Sequence, residues 1–161
     1  MPRSIQAAFL AVIAGSATIL AAGTACAQDA KSLCARVTTD DRARPLPITL
    51  VPAARQLFSF SVDTPSGYIR KGTSFRCMGG KVFLCNAGAN LVCGKANTSR
   101  TSVGAADFCK QNPGSYVVPM AATGHATVYE WKCAGNKAVI SKQAETVDPR
   151  GFITENWKQL D

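Results

Sequence analysis

Residues 75–85 read Phe75-Arg76-Cys77-Met78-Gly79-Gly80-Lys81-Val82-Phe83-Leu84-Cys85, and this stretch decides the fold. Two β-prone runs flank Gly79-Gly80, the pattern of a hairpin closed by a two-residue turn. With the glycines at the turn, Cys77 falls opposite Val82 and Phe75 opposite Leu84. Strand side chains alternate between faces, so these four share one face that needs burying. Cys85 falls opposite Ser74 on the other face. A second stretch, Tyr129-Glu130-Trp131-Lys132-Cys133-Ala134-Gly135-Asn136-Lys137-Ala138-Val139-Ile140, repeats the design around Gly135-Asn136. There Cys133 faces Ala138 and Trp131 faces Ile140, while Lys132 points to the opposite side, as Arg76 does in the first hairpin. Each hairpin presents an aromatic-plus-cysteine face, and packing those faces builds a core.

Working outward, a helix is expected between the hairpins. Thr101 or Ser102 caps its start, either Val103, Ala106 and Cys109 or Ala105, Phe108 and Cys109 share a side, and Asn112-Pro113 stops it. Pro52 opens a short helix through Ala53, Ala54, Gln56 and Leu57, and the Pro- and Gly-containing stretch 62–72 reads as loop. Ile153, Trp157 and Leu160 have the i, i+4, i+7 spacing of a short C-terminal helix. The class is α+β: a small antiparallel sheet built from hairpins, with two or three short helices, stapled by disulfides.

The start of the chain reads as an export signal. Arg3 precedes an Ala/Ile/Leu-rich run, and Ala25-Cys26-Ala27 fits a signal-peptidase site with cleavage after Ala27. The run is too short and alanine-rich for a membrane anchor, and lipid attachment at Cys26 is an alternative. Residues 1–27 are thus a signal peptide, 28–47 an extended arm held through Cys34, and 48–161 a single domain. Removing residues 1–27 takes Arg3 and Cys26 with it, leaving 134 residues, a net charge of +7 and six cysteines, Cys34, Cys77, Cys85, Cys93, Cys109 and Cys133. An even set in an exported chain indicates three disulfides formed in an oxidising periplasmic or extracellular compartment. Zinc sites need cysteines two to four residues apart, a spacing absent here, so no metal is expected. The opposite faces of Cys77 and Cys85 prevent their pairing. A turn at Gly88-Ala89-Asn90 brings Cys85 opposite Cys93, the favoured pair; the partners of Cys34, Cys77, Cys109 and Cys133 stay open.

The ordered series Cys77-Met78-Gly79-Gly80-Lys81-Val82-Phe83-Leu84-Cys85-Asn86, Gly88-Ala89-Asn90-Leu91, Asn112-Pro113, Val118-Pro119-Met120, Thr123-Gly124-His125, Tyr129-x-Trp131-x-Cys133 and Gly151-Phe152-Ile153 resembles a group of small exported, cysteine-rich proteobacterial proteins with no assigned activity. The likeness spans roughly residues 75–160. It implies an exported, disulfide-bonded domain and carries over no catalytic residues. The aromatic–Cys start of the first hairpin also resembles that of periplasmic inhibitors of lysozyme.

Chemistry is sparse in the sequence. The one histidine, His125, would need a carboxylate such as Glu130 or Asp148 and a hydroxyl such as Ser115 to act in hydrolysis, and no nucleophile elbow surrounds Ser115. Charge says more. From Arg70 to Lys110 the chain carries Arg70, Lys71, Arg76, Lys81, Lys95, Arg100 and Lys110 against Asp107 alone, a net +6. Such a run serves solubility or contact with an anionic partner, and export argues against nucleic acid. The Cys-flanked loop Asn86-Ala87-Gly88-Ala89-Asn90-Leu91 would be a rigid projection. These features predict an exported non-enzymatic module that binds an anionic envelope component or an acidic protein, without a cofactor. The candidate contacts are Arg76, Lys81, Asn86, Asn90, Lys95, Arg100 and His125. A secreted inhibitor of a lytic enzyme using the loop, and a small hydrolase using His125, are the alternatives.

Overall fold

A computed structural model describes residues 29–88 and 90–161; the expected signal peptide, its cleavage site and Cys26 lie outside the described residues. Helix α1 (Ala30–Val37) is followed by strand β1 (Arg44–Pro45), a 3-10 turn at Ile48–Leu50, α2 (Val51–Leu57) and α3 (Ser66–Gly72). The first hairpin, β2 (Thr73–Met78) and β3 (Lys81–Asn86), precedes α4 (Val103–Gln111) and the single turn α5 (Met120–Thr123). The second hairpin, β4 (Tyr129–Ala134) and β5 (Lys137–Gln143), leads to a 3-10 turn at Thr154–Asn156 and the short β6 (Lys158–Gln159). The class is α+β, with an antiparallel four-stranded sheet ordered β1-β2-β3-β6 and a separate β4-β5 pair. No helix among the described residues is long and apolar enough to cross a membrane.

The first hairpin has the expected register, Cys77 against Val82 and Phe75 against Leu84. Gly79 and Gly80 both take positive φ, 55° and 77°, as the tightest hairpin turn requires and as only glycine adopts without strain. The shared face of Phe75, Cys77, Val82 and Leu84 is buried against α1, Leu46, Leu50, Val51, Ala54 and Ile69. Here the structure corrects the sequence reading in several places. Of the expected extended arm, 28–47, the described residues 29–47 are folded into the domain. Asp29 caps α1 by accepting the Lys31 N–H, Ala30 and Cys34 are fully buried, and Arg44–Pro45 pairs with β2. The core therefore begins well before residue 48. The stretch 62–72, expected to be loop, ends in α3, whose Ile69 is fully buried. The C-terminal apolar residues do not form an α-helix. Ile153 and Trp157 flank a 3-10 turn and the chain then adds β6 to β3.

The second hairpin also forms in register, Cys133 against Ala138 and Trp131 against Ile140, with a bulge at Glu130/Trp131. It lies in its own sheet, and α4 packs on it through Ala105 and Cys109, which meet Trp131, Cys133 and Val118. Ser102 caps α4 as expected, its Oγ accepting the Ala105 N–H at 3.1 Å. Three disulfides staple the elements: Cys34–Cys77 joins α1 to β2, Cys85–Cys93 closes the loop after β3, and Cys109–Cys133 joins α4 to β4. The favoured Cys85–Cys93 pair is present, although residues 91–93 form no strand against β3; Gly88 and Leu91 instead exchange two main-chain hydrogen bonds. Three bridges of this kind fit a chain that folds in an oxidising compartment.

Candidate functional site

The basic run does not form one surface. Arg76 is fully buried, on the face of β2 opposite Cys77. Its guanidinium lies 4.1 Å from the Phe152 ring centroid and 4.8 Å from that of Trp157, and it pairs with Asp148. The reading of Arg76 as a surface contact is therefore corrected: the returning segment 147–157 covers the face that alternation had assigned to solvent. Burial alone would push the Asp148 carboxyl up. The Arg76 guanidinium and the N–H groups of Phe152 and Arg150 outweigh it and hold the carboxyl below its ordinary value.

The remaining candidates are dispersed. Lys95 donates to the Arg150 carbonyl, stands over the Phe152 ring and lies 3.7 Å from Asp41. Lys81 reaches Gln159 in a groove shared with Lys31 and Asp161, where the Asp161 carbonyl accepts from Lys31. Asn86 donates to Thr73 Oγ1 at 2.9 Å, while Asn90 is exposed at the loop tip. His125 sits in a turn before β4 with its Nδ1 buried and without a hydrogen-bond partner among the described residues. The groups proposed to assist it are engaged elsewhere: Ser115 Oγ donates to the Val117 carbonyl, Glu130 pairs with Lys142, and Asp148 holds Arg76.

One groove does gather cations. It occupies about 420 Å³ between α4 and the second hairpin, and is lined by Arg100, Thr101, Ser102, Ala106, Lys110, Trp131, Asn136, Lys137 and Ala138. Ser102, Ala106 and Lys110 are spaced i, i+4, i+8, one stripe of α4. Trp131, opposite Ile140, and Ala138, opposite Cys133, lie diagonally on one face of the sheet, and Trp131 is buried. Arg100 stands over Tyr129, 5.5 Å from its ring, at the open end of the hairpin. Lys110 and Lys137 lie at the turn end, where the Gly114 N–H donates to the Gly135 carbonyl. Asp107 meets Lys110 at 2.8 Å, an exposed pair and therefore weakly held. Neither Arg100 nor Lys137 has an acidic partner among the described residues. Of these residues, the sequence had singled out Arg100 alone as a contact and Lys110 as part of the run. The i, i+4, i+8 stripe and the lysine just after the hairpin turn were the signals for the rest.

No known family, curated protein or solved structure matches the chain. Fold and cysteine pairing define it as a small α+β domain stapled by three disulfides.

Proposed function

We propose that this chain is an exported, non-enzymatic module that binds an anionic component of the cell envelope in the groove between α4 and the second hairpin. The observation that carries this is the convergence of Arg100, Lys110 and Lys137 on one concavity with a Trp131 and Ala138 floor. Opposed only by Asp107, the three cations offer an anion both charge and hydrogen-bond donors beside an apolar surface. The test is binding of defined anions, namely polygalacturonate, an acidic peptide and phosphatidylglycerol vesicles, along a salt gradient. The expected result is retention that weakens as salt shortens the screening length and is lost in an Arg100→Glu/Lys137→Glu double variant. Binding that ignores both salt and the double variant would refute the assignment.

A second function, inhibition of a lytic enzyme, draws support from the loop after β3. The Cys85–Cys93 disulfide and the reciprocal Gly88–Leu91 hydrogen bonds tie the two sides of this loop together, which lowers the entropy lost on inserting it into a cleft. A variant lacking residues 88–90 should lose inhibition of lysozymes while keeping its fold. An intact chain that leaves lysozymes fully active removes this function.

A further inference from the structure

Among the described residues, strand β5 has no partner on its outer edge. On β4, Trp131 and Cys133 turn their main-chain groups away from β5: the Trp131 carbonyl accepts from the Val118 N–H at 2.9 Å, and the Cys133 N–H donates to the Ser115 carbonyl at 2.8 Å. In an antiparallel ladder, a residue whose main chain points away from the partner strand faces one that does the same. Ile140 and Ala138, the register mates of Trp131 and Cys133, therefore direct their N–H and C=O groups to the far side of β5. Among the described residues, no hydrogen bond from outside the hairpin reaches either one. An edge of this kind is a template for an added strand.

Ala138 belongs both to this edge and to the cationic groove. The opposite wall is the α4 stripe from Ser102 to Lys110, about 12 Å long at the helical rise. That length matches about four extended residues. The small side chain of Ala106 at mid-stripe leaves room for a chain beside it. Lys110 and Lys137 at one end and Arg100 at the other leave the channel cationic over its whole length. The arginine at one end of the groove and the lysines at the other favour an acidic occupant.

We infer that the groove takes an extended acidic peptide segment, added to β5 as a third strand, with its main chain on Ala138 and Ile140 and its carboxylates on Arg100, Lys110 and Lys137. This rests on the anion-binding function proposed above and names the partner class.

The experiment uses the disulfide-bonded chain and an end-blocked peptide of alternating glutamate and valine, read by calorimetry and by amide hydrogen exchange. The same peptide N-methylated at alternate residues, in both registers, removes its main-chain donors without changing its charge. Polygalacturonate and phosphatidylglycerol vesicles serve as anions without a peptide main chain. The expected outcome is binding of the unmodified peptide, weakening of about tenfold in one N-methylated register from lost main-chain hydrogen bonds, and slowed exchange at Ala138 and Ile140. Equal binding of both N-methylated peptides, or binding of polygalacturonate or vesicles but not of peptide, overturns strand addition and leaves anion binding intact. Failure of every anion to bind at low salt overturns both.

Discussion

Replacing Asp148 with asparagine tests what holds the returning C-terminal segment on the first hairpin. The substitution keeps an oxygen for the N–H groups of Arg150 and Phe152, which Oδ1 accepts at 2.8 and 3.1 Å, and replaces the charged Oδ2 that accepts from Arg76 with an amide NH2. Arg76 would then remain ionised at 0% exposure, with its Nε and Nη1 already lacking an acceptor among the described residues. Breaking a buried ion pair from one side costs about 3–5 kcal/mol. Because Asp148 is 10% exposed and water can reach the pair, the lower end applies, about 3 kcal/mol. With a urea slope of about 2 kcal/mol per M, the unfolding midpoint falls by about 1.5 M. An Arg76→Met/Asp148→Asn double variant removes both charges and should recover most of the loss. The pH dependence has a defined sign. A carboxyl held below 3.8 in the folded chain contributes stability that is complete above its unfolded value. That contribution is lost as pH falls below 3.8 through the folded value. The parent chain should therefore lose stability in that acidic range by a step that Asp148→Asn does not share. A cost for Asp148→Asn under about 0.5 kcal/mol, the range of ordinary surface changes, would refute the claim that this counter-charge matters.

Three other outcomes follow from the geometry. A Cβ at Gly104 would stand 1.8 Å from the Ala122 carbonyl oxygen, so Gly104→Ala should cost about 1–3 kcal/mol by overpacking, although helix propensity alone would favour it by about 1 kcal/mol. A thermal melt that rises would show that α5 does not lie so close. Removing disulfides pairwise by Cys→Ala should cost about 4 kcal/mol for Cys34–Cys77, about 3.5 for Cys109–Cys133 and about 2.5 for Cys85–Cys93, from the loops they close. Their sequence separations are 43, 24 and 8, and urea midpoints in a different order would contradict the loop-closure account. His125→Ala should leave anion retention unchanged, since the ring lies outside the groove lining; a weakened interaction would place it in the site.

Local chemistry made the hairpins legible. Two glycines at one turn, with apolar residues at a period of two, fix register and face together, and that placement also ruled out Cys77–Cys85; the Cys85–Cys93 pair was favoured by a separate expected turn at Gly88-Ala89-Asn90. Alternation shows which residues share a face but not what will cover it. The fate of Arg76 was therefore invisible: its partner Asp148 lies 72 residues on, and the covering rings belong to Phe152 and Trp157. Helix α1 did leave a trace in Ala30, Leu33, Cys34 and Val37 behind a capping Asp29. Polar neighbours and the short span masked it. The C-terminal spacing misled because one 3-10 turn between two extended residues also leaves both Ile153 and Trp157 buried. As for the groove, the charge run located Arg100 and Lys110, whereas Lys137 arrives from another element and is joined to them only by tertiary packing.

The disulfides share a pattern beyond their individual contributions. Cys34 bonds to Cys77, Cys85 to Cys93 and Cys109 to Cys133, so each cysteine is joined to the next one along this portion of the chain, with no loop nested in or crossing another. For a chain emerging amino-terminus first, an oxidant that couples thiols in order of appearance makes the native bond at each step. Each thiol finds its proper mate as the next to arrive, and at most one waits unpaired at any moment. Thiol shuffling then has nothing to repair, so oxidative maturation of this domain should proceed at full yield with an oxidase alone, without an isomerase.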